Sequence, residues 1–170
     1  GTEAWFGAGG QRDLARARVL AFATHGLLAG QMGVTEPGLV LTMPGLNSQP
    51  KASFLSASDA AALDLNADWV LLSACNTAAA DGQPDSSGLS GLARGFIFAG
   101  ARSLLVSHWP VRDDAALALT TRALAARTGP HPLSKAKALQ AAILALLQNE
   151  TRPDHAHPAV WAPFVLIGNG

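Results

Sequence analysis

Cysteine is the scarcest reactive residue of this chain, with one, Cys75, in 170 residues. A single thiol makes no internal disulfide and no cysteine-based zinc site. It points to a reducing compartment, with the cytoplasm as the expected location, and it leaves one thiol to account for. Charge is also sparse. Charged residues are 14% of the chain, and 12 Lys plus Arg balance 12 Asp plus Glu, for a formal net charge of zero. With no Lys/Arg run either, the chain lacks the electrostatic footprint of a nucleic-acid binder or of a protein drawn to an anionic membrane. Long hydrophobic runs are missing as well. Gly, Pro, Ser or charge interrupts each one far short of the ~20 residues a membrane span needs. Residues 1–10 lack the basic and apolar regions of a secretory signal. There is no initiator Met, so the chain reads as a processed or excised piece of a longer protein. Heptads and internal repeats are absent.

What the chain does have is apolar mass. Hydrophobic residues make up 49%, enough for a true core and too much for a disordered chain. At this length one domain is expected. Alanine supplies roughly one residue in five, which favours helix. Three short apolar runs read as buried strands: Val19 to Ala23, Trp69 to Ser73 and Ser103 to Ser107. A run from Gly38 to Met43 reads as an edge strand or hairpin arm, and Trp161 to Ile167 as a last strand. Ser58-Asp59 reads as the cap of a short helix. Residues 88–100 carry apolar residues at helical spacing and stop at a glycine. Asp113-Asp114 opens an alanine-rich helix to about Thr128, with the acidic pair at its positive end. Residues 133–148 read as another helix. Strands alternating with helices imply a mainly parallel sheet with helices on both faces, an α/β fold. In such sheets chemistry sits beyond the carboxyl ends of the strands.

Three strand ends carry reactive residues: Thr24-His25-Gly26, Ala74-Cys75-Asn76 and Ser107-His108-Trp109. Cys75 follows a buried strand and precedes a polar loop, residues 77–87, that lacks any phosphate-binding glycine pattern. His25 holds the same relative place on the preceding strand, 75 − 25 = 50 residues earlier. That separation suits a thiol nucleophile with a histidine partner. A thiol of pKa ~8.5 is mostly protonated at neutral pH, and an adjacent imidazole can activate it or protonate the leaving amine. Gly26 lets the backbone approach a substrate. Its N–H and that of Cys75 suit an oxyanion hole. The alternative is a buried Cys at the rim of the core and a loop His that only donates a hydrogen bond.

Five stretches together resemble the CHAT domain: Phe22-Ala-Thr-His-Gly26, Val70-Leu-Leu-Ser-Ala-Cys-Asn-Thr77, the glycine-rich segment from Gly88 to Arg102, Ser107-His-Trp-Pro-Val111, and Trp161 to Gly168. They occur in order over nearly the whole chain. The resemblance implies a three-layer αβα caspase-like fold related to separases, caspases and gingipains. It implies a cysteine endopeptidase with His25 and Cys75 as the catalytic pair, no cofactor and no metal. The substrate is then a protein or peptide, and a TPR-repeat region of the same or another chain is an expected partner. Residues 19–170 are read as the domain and 1–18 as an extension or remnant. Because so little precedes the His-Gly strand, the chain reads as the C-terminal catalytic portion, with part of the cleft expected to be supplied elsewhere. Asn76, where an acidic residue or Gln is expected, and His108, where Leu is common, depart from the family pattern without removing the pair. The alternative within the same family is a catalytically silent regulatory or protein-interaction module.

The segment Trp109-Pro-Val-Arg-Asp113 resembles the Trp-x-Val-x-Asp segment of separases, whose acidic residue receives a basic substrate side chain. Asp113 is therefore a candidate substrate-binding residue, with Arg112 as its only neighbouring cation and Trp109 as a candidate pocket wall. The plain alternative is that Asp113 and Asp114 only start a helix. His155 and His157 lack the third ligand a metal needs and read as solvated loop residues. His131, between two prolines, reads as a turn. His108 is expected at the active edge.

Overall fold

The computed structural model describes residues 14–41, 54–73 and 91–170. Its strands are β1 (Val19–Phe22), β2 (His25–Leu27), β3 (Gly38–Val40), β4 (Phe54–Ser56), β5 (Trp69–Leu72), β6 (Ser103–Ser107) and β7 (Phe164–Gly168). Its α-helices are α1 (Ala57–Ala61), α2 (Gly91–Phe98), α3 (Asp113–Thr128), α4 (Lys135–Leu147) and α5 (Pro158–Trp161). The main sheet has the order β1-β5-β6-β7, and a small sheet has the order β2-β3-β4. β1, β5 and β6 run parallel, while β7 pairs antiparallel with β6. The small sheet is antiparallel throughout.

The period of two along the central strands divides the core. Val70 and Leu72 of β5, with Leu104 and Val106 of β6, face a cluster that includes Leu39, Leu55, Leu92, Ala93 and Phe96. Trp69, Leu71 and Leu105 face the opposite cluster, with Ala115, Leu119, Ala123, Leu139, Ala142, Leu146 and Phe164. Thus α1, α2 and the small sheet cover one face, and α3, α4 and α5 cover the other. This is the mostly parallel αβα arrangement the alternation of elements implies. Each fully buried Leu, Val or Phe side chain contributes roughly 1.5–3 kcal/mol. β5, apolar throughout, and β6, apolar from Leu104 to Val106, therefore sit in the middle of the sheet, covered on both faces.

Glycine sets two close approaches. At Gly95 a Cβ would lie 2.6 Å from the Ala57 carbonyl oxygen, so its absence lets α2 press against α1. Gly100 ends the turn after α2 at φ 108°, and a Cβ there would meet the Leu65 carbonyl oxygen at 2.2 Å. On the other face, Lys135 is buried at the first position of α4. Its ammonium reaches Asp68 at 3.0 Å and the Asn169 carbonyl at 3.1 Å. Arg127 adds a second bond to Asp68 at 3.2 Å. Burial alone would raise the Asp68 pKa, but hydrogen bonds from Lys135 and Arg127 bring it below its ordinary value.

Several elements differ from the sequence reading. β1 was expected to be covered on both faces, yet it ends the sheet order and leaves Ala21 exposed. A short apolar run does not show how many neighbours the strand has. The cap of α1 is Ser56, two residues earlier than expected. Its hydroxyl accepts from the Asp59 N–H, and the Asp59 side chain reaches back to the Ser56 N–H in a capping box. Trp161 ends helix α5 and does not open β7. Pro158 suits the first helical turn, and the His157 Nδ1 accepts the Ala159 N–H, which closes that turn.

Candidate active-site cleft

Parallel pairing of β1 with β5 aligns Phe22 with Leu72, so both strands end at one edge. There the Phe22 carbonyl accepts from both the backbone N–H and the hydroxyl of Ser73, each at 3.2 Å. The chain then leaves the main sheet through Ala23 and Thr24. The Thr24 hydroxyl donates to the Val40 carbonyl, and Val40 is the residue opposite His25 in the β2–β3 ladder. Two side-chain bonds thus fasten the crossing between the sheets immediately before the histidine. His25 is the first residue of β2 and is exposed. The sequence pattern places it at the end of β1, whereas it opens a separate strand in the second sheet. A three-residue strand is too short to show a period, and its partner, β3, lies in a different apolar run. Gly26 follows within β2, opposite Leu39.

A cleft of about 280 Å³ opens at this edge, lined by Ala23, Thr24, His25, Ser73, Asp113, Ala116, Leu117 and Thr120. Its two walls come from distant parts of the chain: the β1–β2 crossing and the end of β5 on one side, α3 on the other. Cys75 and Asn76 lie outside the described residues, as does the loop 77–87, but Ser73 brings the chain to the cleft two residues before the cysteine. Among the described residues the cleft therefore unites His25, Asp113 and the approach to Cys75.

Asp113 and Asp114 have separate fates. Asp114 accepts from Arg112 at 2.8 Å and from Arg152 at 2.5 Å, and its carboxylate lies 3.4 Å from His155 Nε2. Asp154 completes the cluster, 2.6 Å from Arg112 and 3.0 Å from Arg152. Hydrogen bonds from Arg152 and then Arg112 hold the Asp114 carboxyl well below the usual range, and the same two donors lower Asp154. Arg112, the neighbouring cation in sequence, is thus taken up by Asp114 and Asp154. Asp113 is left exposed in the cleft, with no ion pair among the described residues. His155 is another correction. It is buried at 3% exposure, not solvated, because the turn Pro153–Ala156 folds back toward the Asp114 cluster. Among the described residues no three His, Cys, Asp or Glu side chains form a metal-binding group.

The remaining candidates lie apart from the cleft. Trp109 donates its indole N–H to the Ala159 carbonyl at 3.1 Å and is not among the cleft's lining residues. His108 is exposed just beyond β6, its backbone N–H bonded to the Pro163 carbonyl. Conversely, the sequence reading missed Thr24, Ser73, Ala116, Leu117 and Thr120 as parts of the cleft. The first two lie within the resemblance motifs and were legible there. The three from α3 carry no motif, and only the packing of α3 beside the strand ends brings them in.

A mostly parallel sheet between two helical layers, with a histidine-bearing cleft at the carboxyl edge of its strands, defines the caspase-like class. The family model of the CHAT domain matches residues 11–169, and the chain belongs to the CHAT domain family. A comparison with curated proteins finds no match.

Proposed function

We propose that this CHAT domain is a cysteine endopeptidase in which His25 and Cys75 form the catalytic pair. The observation that carries the reading is the exposed His25 in the same cleft as Ser73, two residues before the only cysteine. The Cys75 thiolate attacks a peptide carbonyl carbon, and the oxyanion is held by the N–H groups of Gly26 and Cys75. His25, protonated when the thiol ionises, gives its proton to the leaving amine. Water then cleaves the thioester, with His25 accepting its proton, and the acid product leaves. Asp113, with no ion pair among the described residues, selects a Lys or Arg side chain before the scissile bond. The substrate is a protein or peptide, and a TPR-repeat region of the same or another chain is the proposed partner.

The test is labelling by a peptide electrophile together with turnover of a peptide library, comparing the native chain with Cys75→Ala and His25→Ala. Cys75→Ala is expected to abolish both while costing about 1 kcal/mol of stability, typical of a point substitution. His25→Ala is expected to slow turnover by at least ~100-fold, the scale of general acid–base catalysis. Turnover retained in Cys75→Ala, or near-native turnover in His25→Ala, refutes the pair, and absence of labelling and turnover in the native chain favours the silent module.

A further inference from the structure

The wall that α3 gives to the cleft has a regular spacing. Asp113, Ala116, Leu117 and Thr120 fall at i, i+3, i+4 and i+7, one stripe of the helix. The core takes the adjoining face, through Ala115, Ala116, Leu119 and Ala123, so Ala116 borders both the core and the cleft. Leu117 is 65% exposed, so this large apolar side chain stands in the cleft without anchoring the helix. Thr120, farther along, has its hydroxyl proton committed to the Ala116 carbonyl at 2.7 Å. The stripe thus runs from a carboxylate without an ion pair to an apolar side chain.

The spacing matches an extended peptide. A helix rises 1.5 Å per residue, so four residues carry the stripe about 6 Å from Asp113 to Leu117. An extended chain advances about 3.3 Å per residue, and side chains two apart share a face about 6.6 Å apart. A basic side chain at Asp113 therefore brings the side chain two positions away to Leu117, while the one between points elsewhere. We infer that Leu117, with Ala116, forms an apolar subsite selecting the residue two positions from the basic residue held by Asp113. The occupant is a peptide segment with Lys or Arg and an aliphatic residue separated by one position. This inference rests on the reading of the cleft as a peptide site, and it adds a second specificity determinant to it.

Binding separates the two readings. The probe is a set of fluorescein-labelled peptides, each with one Arg and a single Leu, Ser or Lys placed one, two or three positions from it on either side. Anisotropy is read on the 170-residue chain carrying Cys75→Ala, so cleavage does not enter. Leu at a spacing of two is expected to tighten Kd roughly 10-fold over Ser, the scale of a partly covered aliphatic side chain. Leu117→Ser removes that gain and keeps the preference for Arg. Leu117→Asp replaces it with a preference for Lys at the same spacing. Leu117 is exposed, so both variants are expected to melt with the parent, and melting is recorded alongside. An equal gain at spacings of one or three, a gain that survives in Leu117→Ser, or no peptide binding at all overturns the subsite. Binding with the expected pattern but no turnover by the native chain overturns the peptidase reading and leaves the subsite standing.

Discussion

Asp113→Asn and Asp114→Asn remove the same charge from adjacent positions of one helix, and the proposed reading of the cleft gives them opposite consequences. Asp114 is held by Arg112 and Arg152, whereas Asp113 faces the cleft without an ion pair among the described residues. Two unit charges 4 Å apart interact by about 1 kcal/mol in water and about 4 kcal/mol at the effective dielectric of a protein surface. Exposed pairs usually contribute no more than ~1 kcal/mol. A substrate covers Asp113 only in part, so we take about 1–2 kcal/mol, a 5- to 30-fold preference for Arg over an uncharged residue of similar size. This is smaller than the 2–5 kcal/mol typical of truncating a desolvated charge pair, because Asp113 is exposed at the start of α3. Asp113→Asn is expected to erase the preference with little change in melting temperature, since only a favourable helix-end charge is lost. Asp114→Asn is expected to keep the preference and lower the melting temperature. The assay is kcat/KM for paired peptides differing only at the residue before the scissile bond, at 0.05 and 0.5 M salt, with melting curves on the same samples. Screening makes the native preference smaller at high salt. A preference unchanged in Asp113→Asn, or lost equally in both variants, refutes the assignment.

Three further outcomes follow from the packing. Gly95→Ala places a Cβ 2.6 Å from the Ala57 carbonyl oxygen and forces α2 away from α1, at a cost of about 1–3 kcal/mol. Thermal melting checks it, with a fall of roughly 2–12 °C expected for a chain of this size. Lys135→Met keeps the volume at a buried site but removes the bonds to Asp68 and the Asn169 carbonyl, and denaturant unfolding is expected to register a loss of about 1–3 kcal/mol. Asp114 and Asp154 have folded pKa values lowered by Arg152 and Arg112, beneath an unfolded value near ~3.9. Their stabilisation is therefore complete above about pH 4 and is lost as pH falls through the lowered folded values. The melting gap between the native chain and Asp114→Asn/Asp154→Asn should be open at pH 6 and narrow progressively below about pH 4. A gap that widens on acidification contradicts the ion cluster.

The parts of this fold legible in the sequence are those whose signal is local and repeated. β5 and the apolar centre of β6 read as strands covered on both faces, and both strands are buried along their full length. Helix α3 spans Asp113–Thr128, as the acidic start and the break at Gly129-Pro130 indicate. The ordered motifs also identified the family and marked His25 and Cys75. Tertiary structure decided what depends on residues far apart in the chain. It placed His25 on a strand of the second sheet, because a three-residue segment takes its identity from the partner it pairs with. It buried His155 beside Asp114, 41 residues away in sequence, and it gave Arg112 to Asp114 and Asp154, leaving Asp113 to the cleft. It also set Ala116, Leu117 and Thr120 opposite His25, an arrangement fixed by the packing of α3 on the sheet. Periodicity reports which face of an element is apolar. What lies across from its other face is set only when the sheet and its helices pack together.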